Sequence, residues 1–140
     1  MTRTTLLLAD DHRPVLDRLI RVLSSEFDIL GALDDGQALV DAAAMLKPDV
    51  VVLDISMPLL GGLEAAALIG DMAPRPFIVF LTVHEDRDFV AAAFEAGGRG
   101  YVLKRRLATD LVPAIHAAMA GQSFVSPSLA EEASLRTPAS

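Results

Sequence analysis

Apolar residues follow two alternating patterns along the chain, short unbroken runs and longer segments with helical spacing. The runs have the length and β-branched content of buried strands. They are Thr5–Ala9, Ile29–Leu33, Val50–Leu53, Phe77–Leu81 and Gly100–Leu103. The segments predicted as helices, each with one apolar face, are Pro14–Ser25, Gly36–Leu46, Leu63–Asp71, Arg87–Ala96 and Leu111–Ala120. Five successive βα units predict an α/β fold, with a doubly wound parallel sheet covered by helices on both faces.

Composition narrows the class of protein. The chain has 140 residues, of which 52% are hydrophobic, and this is enough for one domain with a substantial core. It has no cysteine, so disulfides and thiolate metal sites are excluded. The net charge of −7 argues against direct DNA binding by this chain. Because a charge or a proline interrupts every apolar window, we expect no membrane segment and a cytoplasmic protein.

Polar residues follow four of the five predicted strands. Asp10 and Asp11 follow the first, Asp54 the third, Thr82 the fourth and Lys104 the fifth. Since the carboxyl ends of parallel strands lie at one edge of a sheet, we expect these side chains to converge there. Each has an ordinary explanation when taken alone: a helix cap, a turn residue, a strand threonine and a solvated lysine. Their coincidence at one edge favours a functional site.

Three carboxylates with an ammonium and a hydroxyl suit phosphoryl transfer to a carboxylate. A hard divalent cation such as Mg²⁺ takes oxygen ligands, and it would neutralise the adjacent Asp10 and Asp11. Asp54 would then complete the metal site and serve as the nucleophile. The charge that develops on the transferring group could be stabilised by the metal, Lys104 and Thr82.

The stretches "LLLADDH", "PDVVVLDISMP", "GGLEAA", "FIVFLTVHED" and "AGGRGYVLK" resemble a response regulator receiver domain over about residues 4 to 120. This resemblance implies a flavodoxin-like (βα)5 sheet with the strand order 2-1-3-4-5. It also implies roles for individual residues. Asp54 is the phosphorylation site, and Asp10, Asp11, Asp54 and the Ser56 carbonyl hold Mg²⁺. Thr82 and Lys104 sense the phosphoryl group, and Tyr101 is the switch, which turns inward on phosphorylation into space that Thr82 vacates. By the same resemblance, Ser56 and His84 flank the path of the hydrolytic water.

"ADDH", "LTVHED", "GGRGYVLK" and "AMAGQSFVSPSL" further resemble the NarL/FixJ subfamily, whose receivers precede a helix-turn-helix DNA-binding domain. We therefore expect a receiver at residues 1–120 and a linker at 121–140 that leads to a DNA-binding domain outside this chain. The alternative is a natural single-domain protein. The resemblance implies that a sensor histidine kinase phosphorylates the receiver, which then switches its surface to regulate an output such as transcription. A homodimer forming on phosphorylation is also expected. The first and last helices are the candidate interface, with Leu111, Ile115, His116, Met119 and Gln122 as candidate residues. The apolar Leu111, Ile115 and Met119 equally fit positions in the core.

Two positions depart from the usual receiver pattern. Many receivers have a proline after the conserved lysine, commonly with a cis bond, whereas Lys104 is followed by Arg105, so a trans bond is expected here. Pro113 lies in the last predicted helix. A proline inside a helix costs about 3 kcal/mol, so we expect that helix to begin near Asp110, with Pro113 in its first turn.

Other functions can be compared with these residues. A phosphatase of the haloacid dehalogenase type would need a second acid two residues after Asp54, where Ser56 stands. A nucleotide-binding enzyme would need a glycine-rich loop after the first strand, and "ADDHRP" has no glycine. The remaining alternative is a pseudo-receiver that binds partners without being phosphorylated. The expected chemistry is otherwise limited to self-phosphorylation and self-dephosphorylation, without an enzymatic reaction on other substrates.

Overall fold

The computed structural model describes residues 3–129, which form one parallel sheet between two layers of helices. The strands are β1 (Thr5–Ala9), β2 (Asp28–Leu33), β3 (Val50–Leu53), β4 (Phe77–Thr82), β5 (Gly100–Leu103) and β6 (Phe124–Val125). The helices are α1 (Arg13–Leu23), α2 (Gly36–Leu46), α3 (Gly62–Gly70), α4 (Arg87–Glu95) and α5 (Leu107–Met119). The order β2-β1-β3-β4-β5-β6 confirms the flavodoxin-like sheet and adds a sixth strand.

Alternate residues of each central strand enter two separate apolar clusters, one on each face of the sheet. Leu6 and Leu8 of β1 pack with α1 and α5, whereas Leu7 and Ala9 pack with α2, α3 and α4. All four residues of β3 are fully buried because that strand lies between β1 and β4, with helices on both faces. This burial explains the unbroken apolar run in the sequence. The same burial fixes the carboxyl end of β3, which Asp54 follows, in the middle of the sheet.

The structure shows that the predicted start of the last helix is wrong. A short 3-10 helix over Lys104–Arg106 runs directly into α5, so Pro113 lies inside the helix. Pro113 has no N–H to donate to the Thr109 carbonyl, a defect that costs about 3 kcal/mol. The earlier start buries Leu107, which is 2% exposed, and such a burial contributes about 2 kcal/mol. Arg106 also reaches Asp110 at 3.4 Å across the first turn.

Two residues proposed for an interface are core residues instead. Leu111 and Ile115 are fully buried against the sheet, so the core alternative is the correct one for both residues. The sequence leaves the two alternatives open because an apolar helical stripe looks the same whether it faces a core or a partner. Met119, at 38% exposure, and the exposed His116 remain on the outer face of α5.

The end of the described chain adds to the sheet. Within the segment 121–140, which composition assigns to a linker, Phe124–Val125 pairs with β5 as the parallel strand β6. Residues 130–140 lie outside the described part. Among residues 3–129, the only cis peptide bond is Ala73–Pro74, which confirms the trans bond after Lys104. No helix in the same range is long and apolar enough to cross a membrane.

Candidate functional site

Four neighbouring strands bring the predicted site residues to one edge of the sheet. Asp10 directly follows β1, Asp54 follows β3, Thr82 ends β4 and Lys104 follows β5. Because these strands are adjacent and parallel, their carboxyl ends meet at the same edge. The loop after β3 is held in place by hydrogen bonds, with the Asp54 amide donating to the Ala9 carbonyl at 3.1 Å.

Lys104 joins the two buried carboxylates. Its Nζ lies 2.7 Å from Asp10 Oδ2 and 2.9 Å from Asp54 Oδ2. Asp10 and Asp54 are only 1% and 4% exposed, so the ammonium compensates negative charge that water hardly reaches. Burial alone would lower the pKa of Lys104, but its hydrogen bonds to Asp10 and Asp54 outweigh that effect and raise the pKa.

An acidic cluster surrounds this ion pair. One ligand atom from each of Asp10, Asp11, His12 and Asp54 can be chosen so that all four atoms lie within 4.8 Å of one another. Three of the four groups are carboxylates, two of them buried, which is a donor set that suits a hard divalent cation. The residues present therefore fit a magnesium ion.

His12 is a site residue that the sequence analysis did not single out. Its Nδ1 lies 3.1 Å from both Asp10 Oδ1 and Asp11 Oδ1, and its backbone N–H donates to Asp10 Oδ1 at 2.9 Å. The imidazole therefore lies beside the two acidic residues at the start of α1. The available signal was its position immediately after "ADD".

A second group of side chains lies beside Asp54 and is linked through His84. The His84 ring nitrogen Nε2 lies 3.2 Å from Ser56 Oγ, and the ring stacks on Phe89 with centroids 4.0 Å apart. The His84 backbone N–H donates to Thr82 Oγ1 at 3.2 Å, while its carbonyl accepts from the Tyr101 hydroxyl at 2.7 Å. His84 thus contacts Thr82, one of the two residues expected to sense the phosphoryl group, and Tyr101, the expected switch.

Tyr101 is completely buried, with its hydroxyl bonded inside the protein. The structure therefore shows Tyr101 in the inward position, which the receiver resemblance associates with phosphorylation of Asp54. Burial raises the pKa of Tyr101 far above its ordinary value, and the nearby negative charges of Asp86, Asp54 and Glu85 add to this effect.

The raised pKa of Tyr101 predicts a clear result in an alkaline titration. Tyr101 is the only tyrosine, so the near-ultraviolet absorbance of tyrosinate reports on it alone. In the unfolded chain it ionises near pH 10, whereas in the folded chain it stays neutral. The contribution of buried Tyr101 to the free energy of unfolding is therefore complete below pH 10, and it is lost as the pH rises above that value. We expect tyrosinate absorbance to appear only together with unfolding; ionisation of the folded chain near pH 10 would contradict the burial.

Comparison with known proteins places these features in a family. The sequence profile of the response regulator receiver domain matches residues 6–116. The response regulator GacA of Pseudomonas viridiflava is 35% identical over 133 residues, which cover 94% of this chain and 62% of GacA. The chain thus spans about six tenths of the length of that relative.

Solved structures agree with this match. A two-component response regulator of the LuxR family from Aurantimonas sp. SI85-9A1 has a TM-score of 0.89 and 31% identity, over 96% of this chain and 97% of its own. RcsB from Salmonella typhimurium has a TM-score of 0.84 and 28% identity, over 94% of this chain and 67% of its own. Another RcsB structure, with a TM-score of 0.83 and 27% identity over 93% of this chain and 67% of its own, contains two dimers bound to two parallel DNAs.

Proposed function

This chain belongs to the response regulator receiver domain family, and we propose that it accepts a phosphoryl group on Asp54 with Mg²⁺ and switches its surface in response. The observation that carries the proposal is the geometry at Asp54. This buried carboxylate lies 2.9 Å from the Lys104 ammonium and belongs to a compact cluster of carboxylates at the sheet edge.

Transfer begins when a carboxylate oxygen of Asp54 attacks the phosphorus atom of a donor, a phosphohistidine of a sensor kinase or a small acyl phosphate. The new O–P bond forms as the bond to the donor breaks, and the leaving group keeps the bonding electron pair. Asp10, Asp11, Asp54 and the Ser56 carbonyl would hold Mg²⁺, which when bound neutralises charge on the phosphoryl oxygens. Lys104 then exchanges its contact with Asp54 for one with a phosphoryl oxygen, and Thr82 donates its hydroxyl hydrogen to another.

We expect the substitution Asp11→Ala to weaken Mg²⁺ binding by at least about tenfold, because it removes one of three carboxylates from the cluster. Isothermal titration with MgCl₂ measures this directly. Asp41→Ala, which removes an equal charge from an exposed position on α2, is the matched control and should bind Mg²⁺ like the wild type. Equal affinities for Asp11→Ala and Asp41→Ala would exclude Asp11 from the metal site.

His84 is expected to slow hydrolysis of the acyl phosphate. Its ring contacts Ser56 and stacks on Phe89, and the receiver resemblance implies that Ser56 and His84 flank the path of water to Asp54. We expect His84→Ala to dephosphorylate several-fold faster, on the order of 3- to 10-fold, because water gains access. The loss of phosphoryl mass with time measures the rate, and His116→Ala is a control at an exposed histidine of α5. Equal rates in both variants would make His84 an ordinary loop residue.

The output of the whole protein is proposed by analogy with its relatives. A sensor histidine kinase is the expected phosphodonor, and phosphorylation is expected to favour a dimer. RcsB forms dimers on DNA, and this chain spans only part of such proteins. We propose that a DNA-binding domain outside this chain regulates transcription, and that the exposed His116 and Met119 of α5 contribute to the dimer contact.

The pseudo-receiver is the competing proposal, and a single measurement separates the two. The chain is incubated with acetyl phosphate, with and without Mg²⁺, and its intact mass is measured. A receiver gains one phosphoryl mass only with Mg²⁺, whereas a pseudo-receiver gains none. The ion pairs between Lys104 and two buried carboxylates favour the receiver, because an interaction module has no need of such a buried charge cluster.

A further inference from the structure

Residues 124–129, which we call the latch, cover the side of β5 that faces away from β4. The strand β5 carries Tyr101 and leads to Lys104. The Phe124 N–H donates to the Arg99 carbonyl at 2.9 Å, and the Ser126 N–H donates to the Tyr101 carbonyl at 3.0 Å. Ser126 is fully buried, and its hydroxyl accepts the Leu103 N–H at 3.1 Å. The latch thus binds the backbone on both sides of the switch tyrosine.

Side chains of the latch and its neighbours extend this contact toward the site. Leu129 is 6% exposed and belongs to the same buried cluster as Tyr101. Arg105, which follows Lys104, lies 3.4 Å from Ser128 and 3.0 Å from Glu85 in the loop after β4. The latch is therefore connected to the two loops that hold Lys104 and His84.

We propose that the latch holds Tyr101 in its inward position and thereby favours the phosphorylated form of Asp54, an inference that rests on the proposed function. An outward turn of the Tyr101 ring would leave a void in the buried cluster that Leu129 helps to close, so a closed latch opposes that turn. The inward hydroxyl fixes the His84 carbonyl, and the same residue's N–H contacts Thr82.

Thermodynamic linkage makes this coupling reciprocal. If the latch stabilises the conformation that the phosphoryl group prefers, then the phosphoryl group stabilises the closed latch by the same factor. In the chain, residues 124–129 lie between the receiver and the DNA-binding domain that we propose outside this chain. The latch would thus report the state of Asp54 to that part through β5 and without a separate interface.

The experiment uses the full 140-residue chain and two readouts. Because Tyr101 is the only tyrosine and the chain has no tryptophan, acrylamide quenching of the intrinsic fluorescence measures the exposure of Tyr101 alone. Calorimetric titration with beryllofluoride and Mg²⁺ measures affinity for an analogue of the phosphoryl group. We expect Ser126→Ala to increase the quenching constant by about twofold and to weaken beryllofluoride binding by about fivefold.

Two controls and a second variant keep the test decisive. Ser123→Ala makes the same change at an exposed position three residues earlier and should equal the wild type. Leu129→Ala should act like Ser126→Ala, whereas Leu68→Ala, at a leucine that is 48% exposed on α3, should not. Cooperatively folded Ser126→Ala and Leu129→Ala chains with wild-type quenching and affinity would overturn the latch. Loss of cooperative unfolding in both variants would also overturn it, because the segment would then be a structural part of the core.

Failure of the latch differs from failure of the proposed function. A wild-type chain that gains no phosphoryl mass from acetyl phosphate contradicts the proposed function and, with it, the coupling. The other outcome contradicts the latch alone. In that case the wild-type chain gains the phosphoryl mass, but both latch variants equal it in the quenching constant and in beryllofluoride affinity.

Discussion

The substitution Asp54→Asn should abolish phosphoryl uptake from acetyl phosphate while leaving the fold intact. An amide is a far weaker nucleophile than a carboxylate, so no acyl phosphate forms at this position. Its carbonyl oxygen can still accept a hydrogen bond from Lys104, which lies 2.9 Å from Asp54 in the wild type. Lys104 remains paired with Asp10, 2.7 Å away, so no buried charge is left without a partner and we expect no loss of thermal stability. Intact-mass measurement and thermal unfolding monitor the two properties.

Asp41→Asn is the matched control, since it makes the same change at an exposed residue of α2. It should gain the phosphoryl mass at the wild-type rate. Phosphoryl uptake by Asp54→Asn at that rate would assign the acceptor to another residue. A folded Asp54→Asn chain that takes up nothing, beside an active Asp41→Asn chain, places the chemistry at the end of β3.

The substitution Lys104→Met should lower both stability and phosphorylation. Lys104 compensates two buried carboxylates, and its side chain is only 12% exposed. Removing one partner of a buried ion pair costs about 3 kcal/mol of unfolding free energy, which urea denaturation at pH 7 without divalent cations measures. Phosphorylation should slow by about 10- to 100-fold because a cation facing the phosphoryl oxygens is lost.

Lys47→Met is the natural control, since Lys47 is the only other lysine and is exposed at the end of α2. Because the pKa of Lys104 is raised in the folded chain, its contribution to the free energy of unfolding is complete below pH 10.5. That contribution is lost only as the pH rises through the higher pKa of the folded chain. Equal unfolding free energies for Lys104→Met and Lys47→Met at pH 7 would show that the buried ion pairs contribute nothing to stability.

Most of the architecture could be predicted because buried parallel strands have a strong sequence signal. Val50–Leu53 is an uninterrupted apolar run with three β-branched valines, and Gly36–Leu46 matches the observed helix at both ends. The two errors have local causes. Pro113 suggested a helix start, yet the burial of Leu107 and the 3-10 turn before it begin the helix one turn earlier. β6 is only two residues long, too short for any periodicity, and its pairing with β5 is a tertiary effect.

The candidate site was predictable to the extent that strand ends define it. Asp10, Asp54, Thr82 and Lys104 converge as expected because the carboxyl ends of parallel strands share one edge. The details that depend on packing could not be predicted. These include the two ion pairs of Lys104, the contact of His12 with the acidic pair, the inward Tyr101 and the buried Ser126 hydroxyl. Each is decided by which neighbours surround a side chain, and spacing along the sequence does not specify them.

Reductive trapping tests the central proposal, phosphorylation of Asp54, most directly. The chain is treated with acetyl phosphate and Mg²⁺, reduced with borohydride, digested and analysed by peptide mass spectrometry. Borohydride reduces an acyl phosphate to an alcohol, so phosphorylation of Asp54 predicts homoserine at position 54, formed only when Mg²⁺ is present. Homoserine at another aspartate, or an unmodified peptide around Asp54 after complete treatment, would contradict the proposed function.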